Sequence, residues 1–371
     1  MMFIMKFTEF DKIYVSSIQD RYITMDHLAK FIAGLSQDFK VEKIGVSVRD
    51  EVIKSITFGD GPKRILMWSQ MHGNESTTTK AVIDLLSYLM VEENDGQELA
   101  KACTLKIIPI LNPDGARDYT RVNANNIDLN RDAQDLTQPE SQILKKEYEA
   151  FMPHFCFNLH DQRTIFNVGK TNKPATVSFL APAFDVDRNN SPSRKLSMQL
   201  ISAMNSTLQH LIPGQVGRYD DGFNANCAGD AFQMRKTPTI LFEAGHFKND
   251  YQREKTREFI FYALLKGIKT VANNTIENFS VAEYLAIPEN NKQFVDILVH
   301  TPNTHNTDLN GNNRILIQYK EVLKDGKVLF SPERHILEPN VEEIFGHKNL
   351  NSQNEKDLEW IKNNDLMKLL N

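Results

Sequence analysis

The sequence predicts an α/β protein: a mixed, mostly parallel twisted sheet with helices on both faces, followed by a small β-rich C-terminal appendage. Three observations predict it. Short apolar runs alternate with amphipathic stretches between Arg64 and Ala272, polar residues suited to chemistry follow directly on those runs, and the alternation stops after about Asn278. Strand–helix alternation of this kind builds a parallel or mixed sheet covered on both sides. Residues 1–278 are expected to form one domain and 279–371 the appendage.

The elements follow in order. Residues 1–35 read as a lead-in with a helical patch over Met25–Leu35. Strands are expected at Glu42–Val48 and Glu51–Phe58, closed by the turn Gly59-Asp60-Gly61-Pro62. Arg64–Trp68 is a short apolar run of the kind that a strand buried on both faces shows. Ala81, Val82, Leu85, Leu86 and Leu89 then recur at helical spacing, so Ser76 to about Val91 reads as a helix, with Ser76 or Thr77 as its cap. Leu105–Leu111 is a second buried strand. Pro139 opens a helix running to Phe151, since proline suits the first helical position. Phe155–Leu159 is a third strand, Pro192–Leu211 a long amphipathic helix, Thr239–Phe242 a fourth strand and Tyr251–Ala272 a further helix. Within the appendage, Ile315–Val322 and Val328–Phe330 form a hairpin turning at Lys324-Asp325-Gly326, and a helix around Leu358–Leu370 closes the chain.

Composition narrows the function. The chain has 371 residues, 41% hydrophobic and 25% charged, which rules out wholesale disorder and fibrous repeats. Forty-three basic against 48 acidic side chains leave a net charge of −5, with no general attraction to nucleic acid or anionic lipid. Neither partner is expected, and the oligomeric state is open. The apolar start Met1–Met5 meets Lys6, Glu9 and Asp11 at once, short of the roughly 7–15 apolar residues of a secretory signal. Cys103, Cys156 and Cys227 are few, odd in number and far apart, which fits a reducing compartment. A cytoplasmic location is the expectation.

Four segments carry the chemistry. His72-Gly73-Asn74-Glu75 follows the first buried strand, Asn112-Pro113-Asp114-Gly115 the second, Leu159-His160-Asp161-Gln162 the third and Phe242-Glu243-Ala244-Gly245 the fourth. Open α/β sheets bind ligands at the carboxyl ends of their strands. His72 and Glu75, three residues apart across a turn, can converge on one cation, and His160 on a separate strand end can supply a third ligand. Two His and one Glu form a recurrent ligand set of catalytic zinc. His305 and His347 read as ordinary histidines, and the Asn112–Gly115 turn as a shaper of the site floor.

These letters resemble a known family. From about Tyr22 to Ala272, two-thirds of the chain, the sequence is similar to the zinc metallocarboxypeptidases of the carboxypeptidase A type (the peptidase M14 clan). The matching elements come in the family's order: Gly45-Val46-Ser47, His72-Gly73-Asn74-Glu75, Asn112-Pro113-Asp114-Gly115, Arg121, Asp128 with Asn130 and Arg131, His160, and Glu243. The resemblance implies one zinc ion per chain held by His72, Glu75 and His160, and Asp128 orienting the ring of His72. It implies Glu243 as general base, Arg121 facing the scissile carbonyl oxygen, and Asn130 with Arg131 holding a terminal carboxylate. Arg117 is a nearby rival of Arg121. Tyr219 is carried as the family's mobile substrate contact, although Phe223 occupies the better-aligned position.

Each role has a physical basis. Zinc brings the pKa of its water to ~7, within reach of a neighbouring carboxylate. A cation beside the developing oxyanion stabilises it, and the planar fork of arginine suits a carboxylate. The sequence departs from the family's pattern at Gly73-Asn74, where classical members carry Arg, and at Asp161, where Ser is usual. Its His-Gly-Asn-Glu form also resembles the succinylglutamate desuccinylase and aspartoacylase branch, whose members carry a β-rich C-terminal region. The implied function is a zinc-dependent carboxypeptidase acting on peptides with a free C-terminal carboxylate. The alternatives are a zinc-dependent N-acyl amino acid deacylase and an inactive zinc- or peptide-binding module. For the carboxypeptidase, an open cleft is expected on the acyl side, clear of the appendage, with rates that rise with peptide length.

Overall fold

The computed structural model describes residues 10–92, 94–301, 314–336 and 343–370; Met1–Met5 and His305 lie outside them. In chain order the first five strands are β1 (Phe39–Val46), β2 (Val52–Phe58), β3 (Lys63–Trp68), β4 (Cys103–Ile108) and β5 (Phe155–Asp161). They are followed by β6 (Phe166–Val168), β7 (Val177–Leu180), β8 (Val216–Arg218), β9 (Thr239–Ala244) and β10 (Asn290–Lys292). The last four are β11 (Phe294–His300), β12 (Arg314–Lys324), β13 (Lys327–His335) and β14 (Phe345–Asn351). The helices are α1 (Met25–Ala33), α2 (Thr77–Met90), α3 (Gly96–Ala102), α4 (Pro113–Asp118) and α5 (Pro139–Phe151), then α6 (Pro192–Leu211), α7 (Ala228–Met234), α8 (Glu254–Ala272), α9 (Val281–Leu285) and α10 (Glu355–Asn363).

Eight strands form one mixed sheet in the order β1-β2-β4-β3-β5-β9-β7-β8. The four central strands, β4, β3, β5 and β9, run parallel, while β2 and β7 join them antiparallel. Burial explains the apolar runs: every residue of β5 is buried, as expected of a strand covered on both faces. On one face α2, α6 and α8 pack a core that includes Leu85, Met204 and Leu264. On the other, Leu144 and Tyr148 of α5 meet Phe232 of α7 and Trp68 of β3. Tyr148 and Phe232 stack with centroids 4.1 Å apart, and Trp68 meets Phe232 edge-on.

The helices at Pro139–Phe151 and Pro192–Leu211 form over the expected residues, each opened by its proline. Three expectations are corrected. Neither Ser76 nor Thr77 caps α2: the Ser76 hydroxyl donates to the Arg21 carbonyl at 2.6 Å. Asp161 takes the capping role, accepting from the amides of Thr77 at 3.0 Å and Thr78 at 3.3 Å. The third and fourth strands run two residues further than their apolar stretches, because β5 and β9 stay paired through His160 with Glu243 and Asp161 with Ala244. The closing helix ends at Asn363, where Asp365 adopts a left-handed φ of 54°, and a separate turn covers Met367–Leu369.

The second sheet has the order β13-β12-β11-β14 and packs its own core of Ile297, Val299, Ile317 and Leu350 against Ile361 of α10. The hairpin of β12 and β13 pairs antiparallel from Leu316 with His335 to Lys324 with Lys327, around the expected Asp325-Gly326 turn. A ribbon of β10 with β6 stitches this region to the main sheet, and Tyr284 and Ile287 belong to the main core. No helix among the described residues is long and apolar enough to cross a membrane.

Candidate metal centre

The central strands deliver the candidate ligands to one point. The loop after β3 carries His72 and Glu75, and β5 carries His160; one ligand atom from each lies within 4.8 Å of the others. His72 Nδ1 is 2.8 Å from Glu75 Oε1, His160 Nδ1 is 2.8 Å from Glu75 Oε2, and the two Nδ1 atoms are 3.0 Å apart. All three residues are buried. Two imidazole nitrogens and a carboxylate converging in this way fit a zinc ion, whose structural preference is for such N and O donors.

Supporting contacts fix the cluster. His72 Nε2 lies 3.0 Å from Asp128 Oδ1, the arrangement in which a ligand imidazole is oriented through its second nitrogen. Asp128 also accepts from the Asn130 amide at 2.9 Å. The second nitrogen of His160 has no comparable partner: Nε2 is buried and unbonded. Glu75 gains a further bond from the Asp161 amide at 3.1 Å. Asp161 thus ties the head of α2 and the Glu75 carboxylate to one strand end. Its role escaped sequence reasoning because an aspartate next to a candidate ligand gives no signal of which backbone amides it will meet. Arg253 closes the same strand ends, its guanidinium donating to Ala244 O at 2.9 Å and Gln162 O at 3.0 Å.

Burial and charge set the protonation tendencies. Burial raises the Glu75 pKa, but His72 and His160 reverse this and hold it well below the usual carboxylate range. Burial lowers that of His72, yet Glu75 and Asp128 prevail and raise it; in His160 burial wins and lowers it. Glu243 shows the opposite tendency to Glu75. Burial, then the charges of Glu75 and Asp161, push its carboxyl well above the ordinary range, against the pull of Arg121. Its Oε2 is buried without a hydrogen-bond partner.

The other candidates surround this cluster. Arg121 donates to Glu75 Oε1 at 3.2 Å and its Nε to Asp128 Oδ2 at 3.1 Å, whereas Arg117 turns away to Glu51 and Asp26. Asn130, Arg131, Tyr219 and Glu243 line one cavity of about 390 Å³ together with His72, Glu75 and His160. Arg131 donates to the Asn130 carbonyl at 2.7 Å and lies 2.9 Å from Cys227 Sγ. Asn130 Oδ1 accepts from the Ala228 amide, which leaves its Nδ2 for a ligand. Tyr219 packs against Phe166, and Phe223 does not line the cavity.

Sequence reasoning missed several lining residues. Asn158 and Asp230 reach the same cavity; Asn158 Oδ1 is buried without a partner, and burial pushes Asp230 up to about 6. Strand alternation could have found Asn158, since it shares a face of β5 with His160. Arg163, just beyond the His160 segment, lines this cavity and a second one of about 490 Å³. That second cavity brings the appendage up to the candidate ligands, where the expectation had kept it clear of the cleft. It is lined by Glu75 and Arg121 and also by the C-terminal hairpin, through Gln318–Glu321, Phe330 and Glu333–His335. His347, read as an ordinary histidine, is half-buried, its ring 4.1 Å from that of His246 and its Nε2 2.7 Å from the Thr164 carbonyl oxygen.

Residues 25–155 match the family model described as zinc carboxypeptidase, Peptidase_M14. Over 114 residues the chain is 27% identical to carboxypeptidase 2 of Trichophyton rubrum, covering 30% of this chain and 20% of that protein. Over 146 residues it is 30% identical to carboxypeptidase SOL1 of Arabidopsis thaliana, covering 33% and 30%. The matched stretches therefore span less than a third of these relatives. Among solved structures, a metallo-carboxypeptidase from Burkholderia cenocepacia superposes with a TM-score of 0.55 at 17% identity, covering 68% of this chain and 70% of that one. A metallo-carboxypeptidase from Pseudomonas aeruginosa, in complex with (2-guanidinoethylmercapto)succinic acid, gives 0.51 at 17%, covering 70% and 68%. At these identities the structural likeness concerns the fold.

Proposed function

We propose that this chain, whose residues 25–155 match the zinc carboxypeptidase family model, is a zinc-dependent hydrolase that cleaves the amide bond before a free C-terminal carboxylate. One observation carries the reading: the unpartnered Oε2 of Glu243 shares a cavity with the His72–Glu75–His160 cluster and with Asn130 and Arg131. A base, a metal site and an anion anchor are thereby gathered around one volume.

The chain's residues then divide the work. Arg131 and the free Nδ2 of Asn130 hold the terminal carboxylate. Tyr219 and the lining at Asn158 and Asp230 enclose the terminal side chain. Bound at His72, Glu75 and His160, zinc would acidify water and polarise the scissile carbonyl. Glu243 takes a proton from the attacking water and returns it to the departing nitrogen, a role suited to a carboxyl whose burial raises its proton affinity. Arg121 moves from its bonds with Glu75 and Asp128 toward the oxyanion that forms.

The experiment compares zinc-loaded protein on peptides with a free C-terminus and on the same peptides amidated. Free peptides should be cleaved one residue at a time, and amidation should remove most of the rate because Arg131 and Asn130 lose their anion. Glu243→Gln should keep zinc and fold while turnover falls by about 10²–10⁴. Equal cleavage of amides, or undiminished turnover in Glu243→Gln, would overturn the assignment.

A further inference from the structure

Two cavities meet at the metal centre. They share Glu75, Arg121, Asp161, Gln162 and Arg163, but only the first contains Asn130 and Arg131. A substrate anchored by its carboxylate at Arg131, with its amide at the His–Glu–His cluster, fills the first cavity with its leaving residue. Its acyl portion continues past Glu75 and Arg121 into the second. The far wall of that second cavity is the face of the C-terminal hairpin, at Gln318–Glu321, Phe330 and Glu333–His335.

We propose that the second cavity is the acyl subsite and that the β12–β13 hairpin is its specificity wall, restricting substrates to a short acyl portion: dipeptides and N-acyl amino acids ahead of longer peptides. This rests on the carboxypeptidase reading above, which fixes which side of the metal centre holds the leaving residue. The volume, about 490 Å³, lies in the range of small-ligand pockets.

The wall is anchored, so a longer chain cannot displace it cheaply. Glu321 pairs with buried Arg21 at 3.0 Å and accepts from the Tyr119 hydroxyl. Gln318 Nε2 donates to Thr164 Oγ1 at 2.6 Å, and the Tyr251 hydroxyl to Asp296 at 3.0 Å. The first joins the hairpin to the segment directly after His160, and the second joins the neighbouring strand β11 to the turn before α8. Gln318 Oε1 is buried without a partner and offers an acceptor to a substrate N–H. Tyr251, Tyr319 and Phe330, with centroids 5.2 and 5.3 Å from the Tyr251 ring, give an apolar surface for a compact acyl group.

The test uses the full chain loaded with zinc and a substrate series ending in one residue, chosen by scanning acetyl amino acids and dipeptides. The series runs from acetyl amino acid through dipeptide and tripeptide to pentapeptide. The expected result is a kcat/KM that peaks at the acetyl amino acid or dipeptide and falls at least tenfold by the pentapeptide. Phe330→Ala should narrow that ratio at least threefold; Arg334→Ala, at the exposed rim, serves if the first variant does not fold. A second readout needs no turnover: in Glu243→Gln protein, the acetyl amino acid should slow amide hydrogen exchange over residues 316–334. A rate that rises with length, an unchanged ratio in both variants, or unprotected hairpin amides would overturn this inference and leave the carboxypeptidase reading standing. Absence of turnover across the series would overturn both.

Discussion

The eight-stranded sheet reaches the site through the ends of its strands, whereas the C-terminal sheet reaches it through the broad side of a hairpin. That difference separates two ways of building a pocket. At a strand end the ladder runs out: His72 and Glu75 stand in the loop beyond β3, while His160 and the proposed base Glu243 sit on the last rungs that join β5 to β9. On a hairpin face the same residues that pair with their neighbours also line the cavity. Gln318, Glu321 and Phe330 are ladder members first. In the proposed reaction the first sheet supplies the atoms for chemistry, and the second sets the room around them.

Three perturbations test how far the two sheets act as one body. The largest effect is expected on acidification. His347, wedged against His246 and Phe294 between the sheets, is held down to about 4 by burial, while Arg253 acts in the same direction. Its ordinary value is 6.5, so between these values the unfolded chain binds the proton that the folded chain refuses. Its contribution is therefore complete above pH 6.5 and is lost as the pH falls toward 4, a change of about 3 kcal/mol. Urea unfolding at a series of pH values should show this loss, and His347→Phe should lessen it, with His246, held down by its own burial, keeping a share of the same sign. A pH-independent wild-type curve would mean that the junction opens before the imidazole is protonated.

A smaller loss is expected for Arg21→Ala, which leaves Glu321 without its buried partner. Pairs of this kind cost about 3–5 kcal/mol to break when fully enclosed. Glu321 keeps partial access to water, so about 2 kcal/mol is expected. If the sheets are one cooperative unit, the single unfolding transition should shift; a new early transition confined to the C-terminal sheet would split them. The smallest effect concerns the first sheet alone. Asp128→Asn keeps an acceptor for the Asn130 amide but removes the charge beside His72 Nε2. Zinc affinity, measured by competition with a chelator, should fall by about 10–100-fold with little change in stability. Unaltered affinity would make Asp128 a loop anchor only.

The same contrast explains what the sequence disclosed. β3, β5 and β9 carry largely apolar stretches because both of their faces are covered, and chemistry-bearing residues cluster at their ends, so both the fold class and the candidate metal cluster were readable. Short strands such as β7 and β8 were not, since three or four residues carry too little periodicity. Asp161 and Arg253 were opaque for another reason: each acts on backbone groups brought near only by the assembled sheet. The hairpin was recognised as a hairpin, but nothing in its alternation indicates which face meets which cavity. The acyl wall therefore became visible only in three dimensions.

A Cβ at Gly73 would fall 1.9 Å from the carbonyl carbon of Gly115, and one at Gly115 would fall 2.6 Å from the carbonyl oxygen of Val122, next to Arg121. The loop holding two candidate ligands thus lies backbone against backbone on the turn after β4, and that turn is closed on its other side by the Asn112 side chain and the Val122 carbonyl oxygen. A single added methyl group would be felt as displacement of His72 and Glu75 rather than as a local bump.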